Sequence, residues 1–153
     1  MNQQEVLKRY VSDEMSKFRN AGDLDAFVDS LTPDQMRQQC ALLTSWRKNC
    51  VYRFIASSTD SWTETSVSIQ KIIVGQINPS VDPILRRHAY RLAGIVEDPE
   101  AKAHAEFRSQ GDISSRRLIA YRMGEDFKLV DGNHRAIRMG VDGQLEFTLL
   151  IPD

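Results

Sequence analysis

The sequence has few cysteines, almost no net charge and no long apolar run. Its 153 residues include only Cys40 and Cys50, too few for a disulfide framework, and we expect both thiols to be buried and reduced. A formal net charge of −1 gives no global field that attracts nucleic acid or an anionic membrane. No stretch approaches the length of a membrane span, and the first residues lack the apolar core of a signal peptide. These absences favour a cytoplasmic protein with no membrane partner.

Several common catalytic patterns are also missing from the sequence. There is no Walker motif, no nucleophile elbow, no metalloprotease spacing and no cysteine–histidine cluster with zinc spacing. Internal repeats and low-complexity tracts are absent as well. The length and the apolar content still suffice for one ordinary domain with its own core. Function therefore has to be inferred from a local group of residues.

The first 110 residues are predicted to be mainly helical. Apolar residues at helical spacing indicate a helix over residues 3–19 and a short helix from Leu24 to Leu31. Thr32 and Gln35 form a capping box around a proline at the first helical position, so a long helix is expected from there to about Ala56. Further helices are predicted over residues 61–77, 82–97 and 99–107. A strand near residues 67–74 is the alternative for the first of these.

The pattern changes after Gly111. A strand is predicted over residues 117–122, a hairpin turn at 124–126 and a returning strand over 127–130. A helix from His134 to about Met139 and a final strand over residues 145–151 complete the chain. The sequence thus predicts an α+β fold, with a mainly helical part over residues 1–110 and a β-hairpin–α–β part over residues 111–153 that share one core.

The turn before the last predicted helix carries most of the chemical information. It reads Asp131-Gly132-Asn133-His134-Arg135 and places backbone N–H groups, the positive end of a helix and cationic side chains at one spot. A phosphate group suits such a spot. Gly132 supplies a backbone conformation that other residues resist. The guanidinium of Arg135 is suited to bidentate phosphate contacts, and Arg138 follows one turn later.

Asp131 is an awkward neighbour for an anion because the two charges repel each other. Two roles remove the difficulty: Asp131 binds Mg²⁺, or it orients His134 or Arg135 through a hydrogen bond. Asp131 and Asn133 are also candidate helix caps. The purely structural alternative is that Asp-Gly-Asn is ordinary turn chemistry, with a surface ion pair worth at most about 1 kcal/mol.

The order helix, strand, hairpin, strand, Asp-Gly-x-His-Arg turn, helix and strand resembles the ParB/sulfiredoxin superfamily over about residues 100–151. This superfamily includes domains of DNA-modification proteins that carry an Asp-Gly-Gln-His-Arg motif. The resemblance implies nucleotide binding, with ATP or CTP and Mg²⁺ as cofactors. It implies that the triphosphate is bound by Gly132, Asn133, His134, Arg135 and, more weakly, Arg138.

The same resemblance implies phosphoryl transfer or hydrolysis as a candidate activity. In that mechanism His134 neutralises developing charge, while Asp131 places a metal ion or accepts a proton. Sulfiredoxins carry a catalytic cysteine between the glycine and the histidine of the turn. This chain has Asn133 there, so sulfiredoxin chemistry is excluded.

Two other functions are open. Residues 108–140 carry seven basic and four acidic residues. A DNA-associated module of a partition, DNA-modification or nuclease system would contact backbone phosphates through basic side chains here, namely Arg108, Arg116, Arg117, Arg122 and Arg138. Alternatively, the helical part binds a protein partner or a second copy of the chain, and no catalysis occurs. Outside the turn, we expect His88 to be a half-buried structural residue and His104 to be exposed.

Overall fold

The computed structural model describes residues 1–15, 24–42, 46–75, 82–108 and 118–153, and it shows an α+β protein. The predicted fold class is therefore confirmed. The chain divides into two compact units, one of Met1–Thr63 with Pro152–Asp153 and one of Glu64–Ile151. This division falls after residue 63, whereas the change of pattern in the sequence falls at residue 111.

The described residues of the first unit form four helices: α1 (Gln3–Met15), α2 (Leu24–Asp29), α3 (Pro33–Leu42) and α4 (Trp46–Ala56). The capping box predicted at the start of α3 is confirmed. The Thr32 N–H donates to Gln35 Oε1 at 2.9 Å, and the Gln35 N–H donates to Thr32 Oγ1 at 3.2 Å. Asn2 and Glu5 make the same reciprocal pair at the start of α1. Both pairs satisfy N–H groups that a helix start leaves without partners.

Some predictions for this unit fall outside the described residues, and one is wrong. Residues 16–19 of the first predicted helix and residues 43–45 of the long predicted helix lie outside them. Cys50 was expected to be buried, but it is a free and exposed thiol on α4. Position 50 therefore lies on the solvent-facing side of α4, although apolar residues flank it in the sequence.

The sheet contains five strands: β1 (Trp62–Ser68), β2 (Ile72–Ile73), β3 (Leu118–Met123), β4 (Asp126–Asp131) and β5 (Glu146–Pro152). Their order across the sheet is β1-β5-β3-β4-β2. β3 and β4 form the predicted antiparallel hairpin, while β2 runs parallel to β4 and β3 runs parallel to β5. The carboxyl ends of β2 and β4 consequently lie at the same edge of the sheet.

The helix predicted over residues 61–77 is wrong. Its first part is β1, followed by a single 3₁₀ turn at Ile69–Lys71 and by β2. Thr63, Thr65 and Val67 are β-branched and alternate along the chain, which favours an extended backbone over a helix. The alternative prediction, a strand over residues 67–74, agrees with the structure at residues 67–68 of β1 and 72–73 of β2.

Within the described ranges, four helices cover one face of the sheet: α5 (Asp82–Arg87), α6 (Leu92–Ile95), α7 (Pro99–Arg108) and α8 (Asn133–Val141). Alternate strand residues, such as Leu118, Phe127 and Leu129, pack with these helices in one buried cluster. The single helix predicted over residues 82–97 is wrong, because Ala89 and Tyr90 take left-handed backbone angles between α5 and α6. The helix predicted over residues 99–107 is confirmed as α7.

Candidate functional site

The turn from β4 into α8 depends on a glycine. Gly132 has φ 87° and ψ 18°, a left-handed conformation at the residue directly before the helix. Its carbonyl accepts the Ala136 N–H at 2.9 Å, which begins the helical hydrogen bonding. A Cβ at this position would lie 2.4 Å from Leu118 Cδ2. Both the backbone angle and the lack of space therefore require glycine here.

Asn133 fixes the start of α8 to the segment that follows β2. The residue is 6% exposed, and its Oδ1 accepts the Gly75 N–H at 2.8 Å. A Cβ on Gly75 would lie 2.9 Å from the Leu129 carbonyl oxygen, so these backbones are in close contact. The carboxamide thus faces inward, towards β2. The predicted contact between Asn133 and a ligand stays a prediction.

Arg135 folds back over the turn. Its Nη2 lies 3.0 Å from Asp131 Oδ2, and the two side chains are only 11% and 25% exposed. The guanidinium also lies over Gly132, since an ideal Cβ there would be 2.9 Å from Nη2. The contact between Asp131 and Arg135 is the one expected both if Asp131 orients Arg135 and if the two form a purely structural ion pair. The pair has no net charge, so an anion at the turn has to share Arg135 with Asp131 or displace it.

His134, the second residue of α8, stacks against a histidine from α7. The ring centroids of His104 and His134 lie 5.7 Å apart with planes tilted by 35°. His104 was expected to be exposed, and this is wrong because the residue is half-buried. Sequence reasoning missed the pair because the histidines are 30 residues apart and nothing local indicates that α7 and α8 are neighbours.

The structure does not bring Arg138 to the turn. Its Nε donates to Asp142 Oδ2 at 3.0 Å, towards the carboxyl end of α8. Six residues of helix separate it from Gly132, or about 9 Å along the axis. Arg122 is exposed, and its guanidinium lies 5.1 Å from the centre of the Phe127 ring. Arg116, Arg117 and the side chain of Arg108 lie outside the described residues.

His88 has a structural role, as predicted. Its Nε2 lies 2.8 Å from Asp98 Oδ2, and Asp98 Oδ1 accepts the Glu100 N–H at the start of α7. The hydrogen bond from His88 is the main cause that lowers the pKa of Asp98 from 3.8 to about 2. The N–H groups of Ala101 and Glu100 and the charge of Arg87 act in the same direction. This cluster caps a helix rather than lining the turn at Gly132.

The turn can offer an anion the first-turn N–H groups of α8, the guanidinium of Arg135 and the imidazole of His134. Asp131 is the carboxylate next to them. Among the described residues, no three histidine, cysteine, aspartate or glutamate side chains are grouped as metal ligands. Within the same residues, no helix combines the length and the apolar character that crossing a bilayer requires.

Comparison of the chain with protein-family models, with curated proteins and with solved structures finds no match. The candidate site therefore rests on the geometry of the turn and on the resemblance of its sequence.

Proposed function

We propose that this chain is a ParB/sulfiredoxin-like protein that binds a nucleoside triphosphate, ATP or CTP, at the turn between β4 and α8. The observation that carries the proposal is the position of the Arg135 guanidinium, which lies over the left-handed Gly132 at the start of a helix. Helix starts of this kind bind phosphate through backbone N–H groups and the helix dipole. The turn also lies at the carboxyl ends of the parallel strands β2 and β4, where ligands of α/β sheets commonly bind.

The donor set fits a phosphate group better than it fits a bare metal ion. Arg135 is a bidentate donor for phosphate, and His134 adds a second nitrogen donor. Asp131 is one carboxylate, which suits Mg²⁺ only when the nucleotide supplies further oxygen ligands. The roles of Asp131 and His134 in phosphoryl transfer or hydrolysis are part of this proposal. Phosphate release measured on the same variants tests them separately from binding.

Calorimetry with ATP and with CTP, each with and without Mg²⁺, tests the binding. Arg135→Gln is expected to weaken binding about 10- to 100-fold, because charge-assisted hydrogen bonds contribute about 1.5 to 3 kcal/mol. Arg86→Gln is the matched control, since Arg86 also forms an i,i+4 ion pair, with Asp82, on another helix of the same unit. Arg138→Gln tests the predicted contact further along α8.

Asp131→Asn adds a test with the opposite expected sign, because it should raise nucleotide affinity where Arg135→Gln lowers it. Removing the carboxylate releases Arg135 and removes a repulsive charge, so affinity without Mg²⁺ should rise by about fivefold, or about 1 kcal/mol. The gain in affinity on adding Mg²⁺ should shrink in this variant. Thermal melts of each variant separate lost binding from lost folding.

Two outcomes would reject the proposal. The first is no binding of either nucleotide to the wild-type protein at millimolar concentration. The second is equal affinity in wild type and in a folded Arg135→Gln variant. Binding of duplex DNA that falls steeply with salt, together with no nucleotide binding, would favour the DNA-associated function instead.

A further inference from the structure

A cavity lies on the sheet away from the turn at Gly132. It is half-open, has a volume of about 390 Å³, and is lined by Ile73, Val74, Ala89, Tyr90, Met123 and Lys128. Phe127 and Leu129 face the buried core, so Lys128 between them points from the opposite face of β4. Four residues of strand separate Lys128 from Gly132, which is about 13 Å. The two sites are therefore distinct.

Among the described residues, no ion pair neutralises the charge of Lys128. The residue is half-buried, and within the described parts of the chain no carboxylate lies within ion-pairing distance of its ammonium. Asp126, two residues earlier on the same face of β4, binds both Nη atoms of Arg91 at 2.9 and 2.8 Å. A cation that is partly removed from water without a partner is unfavourable, and an anionic ligand would supply that partner.

One wall of the cavity is fixed in an uncommon conformation. Ala89 and Tyr90 have φ values of 49° and 59°, which residues other than glycine rarely adopt. The Tyr90 N–H donates to the Leu85 carbonyl at 2.8 Å, and the Tyr90 carbonyl accepts the Val74 N–H at 2.8 Å. The Tyr90 hydroxyl donates to Asp82 Oδ1 at 3.0 Å. These bonds position the wall before any ligand arrives, which reduces the entropy lost on binding.

The rest of the lining is apolar. Met123, at the end of β3, is one of two large apolar side chains that are exposed among the described residues, at 44%. Ile73 lies beside Lys128 in the register of β2 and β4. Binding sites for small molecules commonly combine such apolar surfaces with one placed charge, in cavities of about 300 to 1,000 Å³.

We propose that this cavity binds a small organic anion with a flat apolar body. The carboxylate or phosphate of the ligand pairs with the Lys128 ammonium, and its body packs between Tyr90 and Met123. This inference is independent of nucleotide binding at the turn, because it rests on other residues of the unit.

Three probes with the same naphthalene body test the proposal by NMR: 2-naphthoate, its neutral isostere 2-naphthamide, and 2-naphthyl phosphate. We expect 2-naphthoate to bind at least about tenfold more tightly than the amide, because only the anion forms the charge-assisted contact. Backbone shifts should centre on Ile73, Ala89 and Met123. The ratio of the phosphate and carboxylate affinities tells which anionic group the cavity prefers.

Two lysine variants decide the role of the charge. Lys128→Met keeps the apolar stem and should reduce the ratio of naphthoate to naphthamide affinity to about one, with binding of the amide retained. Lys102→Met removes an exposed lysine of α7 that does not line the cavity, and it should leave the ratio unchanged. An unchanged ratio in Lys128→Met overturns the proposal. The absence of NMR shifts at the cavity with millimolar probe also overturns the proposal. Shifts confined to Asn133 and Arg135 overturn it too, but they do not contradict nucleotide binding at the turn.

Discussion

Replacement of Gly132 by alanine is expected to destabilise the protein more than the same change at any exposed left-handed glycine. The left-handed backbone alone costs an alanine about 1 to 2 kcal/mol. The new methyl would also lie 2.4 Å from Leu118 Cδ2, far inside the 3.5 to 4.0 Å of a favourable carbon–carbon contact. Because Leu118 is 1% exposed, its side chain has to shift within the core to make room for the methyl.

The expected magnitude follows from these two effects. Overpacking of a buried site costs about 1 to 3 kcal/mol, while alanine lowers the entropy of the unfolded chain by about 0.4 to 1 kcal/mol. The net loss in the free energy of unfolding is therefore about 1 to 5 kcal/mol for Gly132→Ala. Gly124→Ala is the matched control, since Gly124 has φ 65° but no atom within 4 Å of its would-be Cβ. Only the strain applies there, and about 1 kcal/mol is expected.

The assay has to report on the unit that contains α8. Both tryptophans, Trp46 and Trp62, lie in the other unit, so their fluorescence is unsuitable. Urea denaturation followed by circular dichroism, combined with hydrogen exchange of the α8 amides, gives the local free energy. Equal losses for Gly132→Ala and Gly124→Ala would refute the reasoning. Recovery of part of the loss on adding Leu118→Ala would identify the methyl contact as the cause.

Two further predictions concern the turn and helix start next to α5 and α7. Ala89→Gly should raise the free energy of unfolding by about 0.5 to 1 kcal/mol in urea denaturation, because position 89 is left-handed two residues after the end of α5, where glycine is preferred. A loss of stability would contradict this. Asp98→Asn should lower the free energy of unfolding at pH 7 and flatten the fall of that free energy between about pH 4 and pH 2. The hydrogen bond from His88 lowers the pKa of Asp98 from 3.8 to about 2, so the ionised carboxylate stabilises the native state above pH 3.8. That stabilisation is lost as the pH falls through the folded pKa, and the variant has none to lose. Urea titrations at both ends of that range check it, and an unchanged slope would contradict it.

The hairpin and α8 could be predicted from the sequence because their signals are local. The turn residues at 124–125 and the glycine at 132 stand between clear strand and helix patterns, and the structure has β3, β4, α8 and β5 close to the predicted positions. β2 could not be predicted in the same way. It contains two residues, and its isoleucines fit a helical spacing as well as an extended one.

The chemistry of the turn could be predicted only in part. The sequence allows a hydrogen bond from Arg135 to Asp131, and the structure contains it. The contact of Asn133 with Gly75 spans 58 residues, and the stacking of His134 on His104 depends on how two helices pack. Such contacts are properties of the tertiary structure and leave no local pattern in the sequence.

The short strand β2 connects the two candidate sites. It has only two residues paired with β4, which alone would leave the backbone after it weakly fixed. The next two residues after β2, Val74 and Gly75, fix the backbone further through hydrogen bonds to two different elements. The Val74 N–H binds the Tyr90 carbonyl in the wall of the cavity, and the Gly75 N–H binds Asn133 at the start of α8. A displacement of the Tyr90 wall or of the helix start would therefore act on adjacent residues of one chain segment. Close packing of Gly75 against the Leu129 carbonyl leaves that segment little room to absorb it.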